Sequence, residues 1–109
     1  MQVQVNTGHH IEADEAMAES VRDVVARALS HFSDHITRVE VHLRDQDGAK
    51  NGRDDKRCMM EARLEGRQPI AVTHEAPTVD QAVAGAADQL ASRVESTLGR
   101  SDRGAGARR

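Results

Sequence analysis

From Ile36 to Asp45 the chain changes character at nearly every step. Val39, Val41 and Leu43 fall on one parity, and Arg38, Glu40, His42 and Arg44 on the other. A period of two belongs to a β-strand with one face buried and the other in water. A helix would scatter those charges around its whole circumference. The alternation recurs from Arg57 to Glu65, where Cys58, Met60, Ala62 and Leu64 oppose Arg57, Met59, Glu61, Arg63 and Glu65. Two shorter runs complete the strands. Gln2 to Thr7 carries Val3 and Val5 and is closed by Gly8, and Ile70 to His74 is ended by Glu75, Ala76 and Pro77.

A sheet built this way needs cover on one face only. From about Asp14 to Phe32, Met17, Val21, Val24, Val25, Ala28, Leu29 and Phe32 recur at helical spacing, with Arg22, Asp23 and Arg27 off the stripe. Asp14, Glu15 and Glu19 stand at the start of this helix, and His31 and His35 at or just past its end, as the helix dipole favours. A second helix opens on a capping box, with Thr78 as N-cap and Gln81 reaching back. It continues through Ala82, Val83, Ala86, Ala87, Leu90, Val94 and Leu98 to a stop at Gly99. Asp47 to Lys56 reads as a polar hairpin loop, and Gly66, Arg67 and Gln68 as a tight connection. The order β-α-β-β-β-α predicts an α+β two-layer sandwich, with both helices on one side of the sheet. No internal repeat interrupts it.

With 109 residues there is room for one domain. Residues 1–98 form it, and 99–109 are expected to be a disordered Arg-rich tail. That tail carries four Arg against one Asp, so of the total charge of -3 the domain holds -6 and the tail +3. One Phe, no Tyr and no Trp exclude RNA modules that stack bases on paired aromatics. A net negative charge also excludes a simple polycation. The single cysteine allows no internal disulfide and fits a reducing compartment. No basic-then-apolar leader and no spanning apolar stretch are present, so the expected location is cytoplasmic.

Motifs of chemistry are few. His31 and His35 are four apart, a spacing that could present two metal ligands, with His9 and His10 as further donors. The residues between are Phe32, Ser33 and Asp34, so the H-E-x-x-H glutamate is missing, and solvated histidines near a helix end are the better reading. Cys58 could pair with a histidine as nucleophile and base, but it shares parity with the core residues, where a thiol is inert. Asp54 and Asp55 lie in the loop with nothing to fix their separation. No phosphate-binding glycine loop, G-x-S-x-G or dinucleotide fingerprint occurs. The chain is read as a non-enzyme without metal, cofactor or small-molecule substrate. The mixed charges of the open sheet face read as a solvated surface stabilised by cross-strand pairs.

The stretches MQVQVNTGHHIEADEAMAESV, LSHFSDHITRVEVHLRD and MMEARLEGRQPIAVTHEAPTVDQAVAGAADQL, in that order, resemble the hibernation-promoting factor family of ribosome-associated proteins. The resemblance runs from Met1 to about Leu98. It implies a four-stranded sheet with two helices on one face, a shape like that of double-stranded RNA-binding domains. It further implies binding to rRNA of the small ribosomal subunit where mRNA and tRNA would sit, silencing translation in idle, stressed cells. Longer members add a second domain, and this chain looks like a short form. Well-studied short members carry a Lys and Arg cluster on and after the second helix. The matching stretch here, DQLASRVESTLGR, has only Arg93 and Arg100. These two carry over best as rRNA-binding residues, and Arg22 and Arg27 on the first helix less well. Fewer phosphate contacts imply lower affinity and a shallower salt slope. The acidic domain keeps a second reading open, a protein-interaction or regulatory module of the same fold without rRNA binding. Nothing in the sequence fixes an oligomeric state.

Overall fold

Asp14 begins the first helix by accepting a hydrogen bond from the Met17 amide on its Oδ1 at 2.7 Å, satisfying an amide that has no partner within the helix. Thr78 does the same for the second helix, with Gln81 N donating to Thr78 Oγ1 at 3.1 Å. The structure, a computed structural model, describes residues 1–8, 14–46 and 55–106. Along these lie β1 (Gln2–Thr7), α1 (Glu15–Ala28), a 3-10 helix (Ser30–His35), β2 (Ile36–Gln46), β3 (Asp55–Leu64), β4 (Ile70–Ala76) and α2 (Val79–Gly106).

The strands form one mixed sheet in the order β1-β2-β3-β4. β1 runs parallel to β2, and α1 is the crossover that a parallel pair needs. The other two pairings are antiparallel. α1 packs on β1 and α2, while α2 packs on β3 and β4. Both helices therefore cover the same face, and the α+β two-layer expectation holds. The parity of each strand also holds. Val39, Val41 and Leu43 of β2 and Cys58, Met60 and Ala62 of β3 are buried, as are Ile70 and Val72 of β4. Against them α2 sets Ala82, Ala86 and Ala87 beside Val83, Leu90 and Val94. Small residues at that contact let the helix lie close to the sheet, which is how a core without a fully buried aromatic ring still fills its space.

Several boundaries differ from the sequence expectation. α1 stops at Ala28 rather than Phe32, and the 3-10 helix follows. Ser30, Ser33 and Asp34 are poor helix formers, and Ser33 Oγ turns back to donate to Ser30 O at 3.4 Å. The Phe32 amide donates to Leu29 O at 2.9 Å, tightening the turn. Phe32 is consequently only partly buried against the core. α2 passes Gly99, where a stop was expected, and ends at Gly106. A glycine stop needs a positive φ, and among the described residues only Gly66 has one, at 71°. Gly66 sits in the expected tight connection between β3 and β4, where the Arg67 amide donates to Leu64 O at 3.3 Å. β4 runs two residues beyond His74, because Glu75 and Ala76 pair with Arg57 and Lys56. Most of the expected hairpin loop, 47–54, lies outside the described residues, as do His9, His10 and 107–109.

Candidate nucleic-acid interface

α1 buries Val21 and Val25, which turns Arg22 and Arg27 outward into solvent. On α2, Arg93 is exposed beside buried Val94 and borders a shallow cleft with Val72, Asp88, Gln89 and Ser92. That places Arg93 on the β4 side of α2, and position 100 follows two turns further along the same flank. Because α1 lies toward β1 and α2 over β3 and β4, Arg22 and Arg27 stand apart from Arg93. Acids are set among them on each helix: Glu19 and Asp23 on α1, Asp88 and Glu95 on α2.

The other candidate groups are accounted for by their surroundings. His31 and His35 fall in the 3-10 helix, where three residues make a turn and positions four apart diverge. The His31 ring instead meets Phe32 edge-on, 6.3 Å between centroids. Among the described residues no three His, Cys, Asp or Glu side chains are grouped to hold a metal. Cys58 is buried on the helix side of β3, and burial pushes its thiol up to about 12. Its register neighbour His74 accepts at Nδ1 from Gln89 Nε2 at 3.0 Å. No helix among the described residues is long and apolar enough to cross a membrane.

On the open sheet face the charges are paired differently from the expectation. In the β2–β3 register Arg38 stands opposite Arg63, Glu40 opposite Glu61, and Arg44 opposite Arg57. Like charges thus face each other across strands, a destabilising arrangement by itself. The ion pairs run along the strands instead: Arg38 Nη2 to Glu40 Oε2 at 2.6 Å, and Arg63 Nη2 to Glu61 Oε1 at 3.5 Å. His42 Nε2 also bonds Glu40 Oε1 at 3.3 Å. This hydrogen bond, helped by the charges of Arg38 and Arg63 and opposed by partial desolvation, holds the Glu40 carboxyl below its ordinary value. The cross-strand ion pair Lys56–Asp45, at 3.1 Å, is on the opposite parity. The period of two reveals each strand's faces, but the facing arrangement depends on hairpin register, which residues 47–54 do not signal.

The chain is thus a small α+β domain that offers charged surfaces, a helical one and an open sheet one. It belongs to the Sigma 54 modulation protein / S30EA ribosomal protein family, whose model matches residues 4–101. The resemblance to hibernation factors is borne out at this level. Among solved structures, the crystal structure of the Thermus thermophilus Protein Y N-terminal domain is similar, with a TM-score of 0.73 and 21% identity. That match covers 89% of this chain and 99% of the other. A ribosomal subunit interface protein from Coxiella burnetii matches with a TM-score of 0.69 at 14% identity, covering 91% of this chain and 99% of that one. At such identities the two structures establish the fold. No curated protein matches the sequence significantly.

Proposed function

We propose that this chain is a cytoplasmic, ribosome-associated protein that binds the small subunit through rRNA backbone contacts and silences translation in idle cells. The observation that carries this reading is the family match over residues 4–101, in a chain whose fold is shared with a ribosomal subunit interface protein. The chemistry fits backbone recognition, since exposed arginines are present and stacking aromatics are not. Arg93 and Arg100 are the leading contacts, with Arg22 and Arg27 as a second group. Binding of this kind calls for no catalysis and no cofactor. The Arg-rich segment after residue 98 supplies charge of the right sign beside an acidic domain.

Co-sedimentation with isolated small subunits over a salt series tests the proposal. Binding should be evident at about 50 mM salt and weaken as salt rises. Reversing Arg93 and Arg100 to Glu should reduce it more than reversing Arg38, which is already paired with Glu40. Absence from the subunit fraction at low salt would overturn the reading. The charge of -6 on residues 1–98, with acids set among the helical arginines, favours one other reading, a protein-interaction or regulatory module of this fold without rRNA binding. That reading expects equal, small losses from all the reversals.

A further inference from the structure

β4 closes the sheet at the end away from β1, and little guards its free edge. Edge strands are commonly blunted by lysine, proline or a bulge. Ile70 to His74 holds neither residue, and its pairing with β3 runs without a register shift. Among the described residues, no backbone group from Ile70 to His74 bonds outside the strand ladder. Beside this edge lies one flank of α2, which runs antiparallel to β4. His74 bonds Gln89, Val72 shares a cleft with Arg93, and Ile70 shares another with Thr97. Each step back of two residues on the strand is thus met by an advance of four on the helix. The two steps are nearly equal, about 6.8 Å of strand against about 6 Å of helix. Strand edge and helix flank together form a groove, bounded at one end by the His74 ring against Gly85 and at the other by the turn at Gly66 to Pro69.

We propose that this groove takes an extended acidic peptide of a partner protein, added to β4 as a further strand. Its two clefts, about 360 Å³ at Val72 and about 720 Å³ at Ile70, lie two strand residues apart. That is the spacing of side chains on one face of an incoming strand. Each cleft holds one arginine, Arg93 in the first and Arg67 in the second, and neither makes an ion pair among the described residues. Among the described residues lining the two clefts, Asp88 is the only acid. Two glutamates at alternate positions of the peptide can lay their methylenes over Val72 and Ile70 and turn their carboxylates to the guanidinium groups, as charge-assisted pairs. Asp88 lies toward the His74 end and repels a third acid there. The intervening side chains fall beside exposed Ala71 and Thr73 on the open face, a setting that suits threonine. Main-chain hydrogen bonds to the edge supply affinity, and the clefts supply selectivity. The inference does not depend on the ribosome reading, with which it shares only Arg93.

The test titrates the full chain with a capped peptide of alternating Glu and Thr, read by backbone amide resonances and hydrogen exchange. Binding should saturate, shift the amides of Ile70 to His74 and of Gln89 to Thr97, and slow exchange at the outward-pointing amides of β4. A peptide of alternating Lys and Thr should bind about tenfold more weakly or worse, as should the Glu peptide to the Arg67→Glu, Arg93→Glu double variant. Asp88→Asn should tighten binding of the Glu peptide. Ser92→Trp fills the first cleft from an exposed position on the helix, so it should leave the melting temperature unchanged and abolish the peptide-induced shifts. Equal affinity for the Glu and Lys peptides, shifts confined to the open sheet face or to α1, or binding unaltered by Ser92→Trp would each overturn the proposal. So would β4 amides that gain protection with protein concentration alone, because the edge would then pair with a second copy of the chain.

Discussion

His74 sits on the helix side of β4 with its ring against Gly85 of α2. A Cβ at position 85 would overlap that ring, with even Cγ only 2.7 Å away, so the whole imidazole would have to move. Alanine is worth about 1 kcal/mol over glycine in a helix interior, yet overpacking of this kind costs about 1–3 kcal/mol. Gly85→Ala should therefore destabilise the protein. In a His74→Ala background the same change should become stabilising. Chemical denaturation of the four proteins measures this reversal of sign. Glu40 offers a pH test. Its folded-state carboxyl is held below the ordinary 4.5, so the stability it adds is present above that value and lost as pH falls through the lowered one. Melting temperatures across the acid range should fall less steeply for Glu40→Gln than for the native chain.

At the scale of elements, legibility followed the strength of the local signal. Both helix starts could be read, the first from the acids Asp14, Glu15 and Glu19 and the second from the capping side chain Thr78; the structure adds that Asp14 is itself a cap. Strand faces could be read because apolar and charged residues alternate without a break from Val39 to Arg44. Helix ends were harder. Leu29 and Phe32 continue the apolar spacing, but Ser30 and Ser33 compete for the backbone, and the chain changes to 3-10 geometry. Gly99 was read as a stop from residue type alone, although a helix accommodates glycine at an energetic cost. The segment from 99 to 106 holds Gly99, Gly104 and Gly106, each about 1 kcal/mol worse than alanine. Its amides should exchange with solvent far faster than those of Ala86 to Val94, which pack on the sheet. Hydrogen exchange resolved by residue checks this.

For the molecule as a whole, the sequence conveyed the layering and the charge total but not how charges meet. The parity of Arg44 and of Arg57 was plain, while their opposition required the β2–β3 register. Likewise Arg22, Arg27, Arg93 and Arg100 stand out by residue type and resemblance, and only the packing of α1 and α2 shows that Arg22 and Arg27 lie apart from Arg93. The core provides a reporter for the entire fold. Cys58 is enclosed between sheet and helices with its thiol pushed up to about 12, so a thiol reagent at neutral pH should reach it only when the domain opens. Labelling should be slow in buffer and speed up in step with unfolding. Rapid labelling of the folded chain would mean that α2 lifts from the sheet by itself.

The parallel pairing of β1 also bears on how the protein comes into being. Its residues find partners 36 positions later, Gln2 with Arg38 and Thr7 with Leu43, whereas β2, β3 and β4 are joined as successive hairpins. During synthesis β1 leaves the ribosome first and must wait, with Val3 and Val5 uncovered, until α1 and β2 have followed it. The sheet should then close from its hairpins toward this edge, because distant pairings carry the larger loop-closure entropy. Of the four strands, the first to be made should be the last to be sealed in.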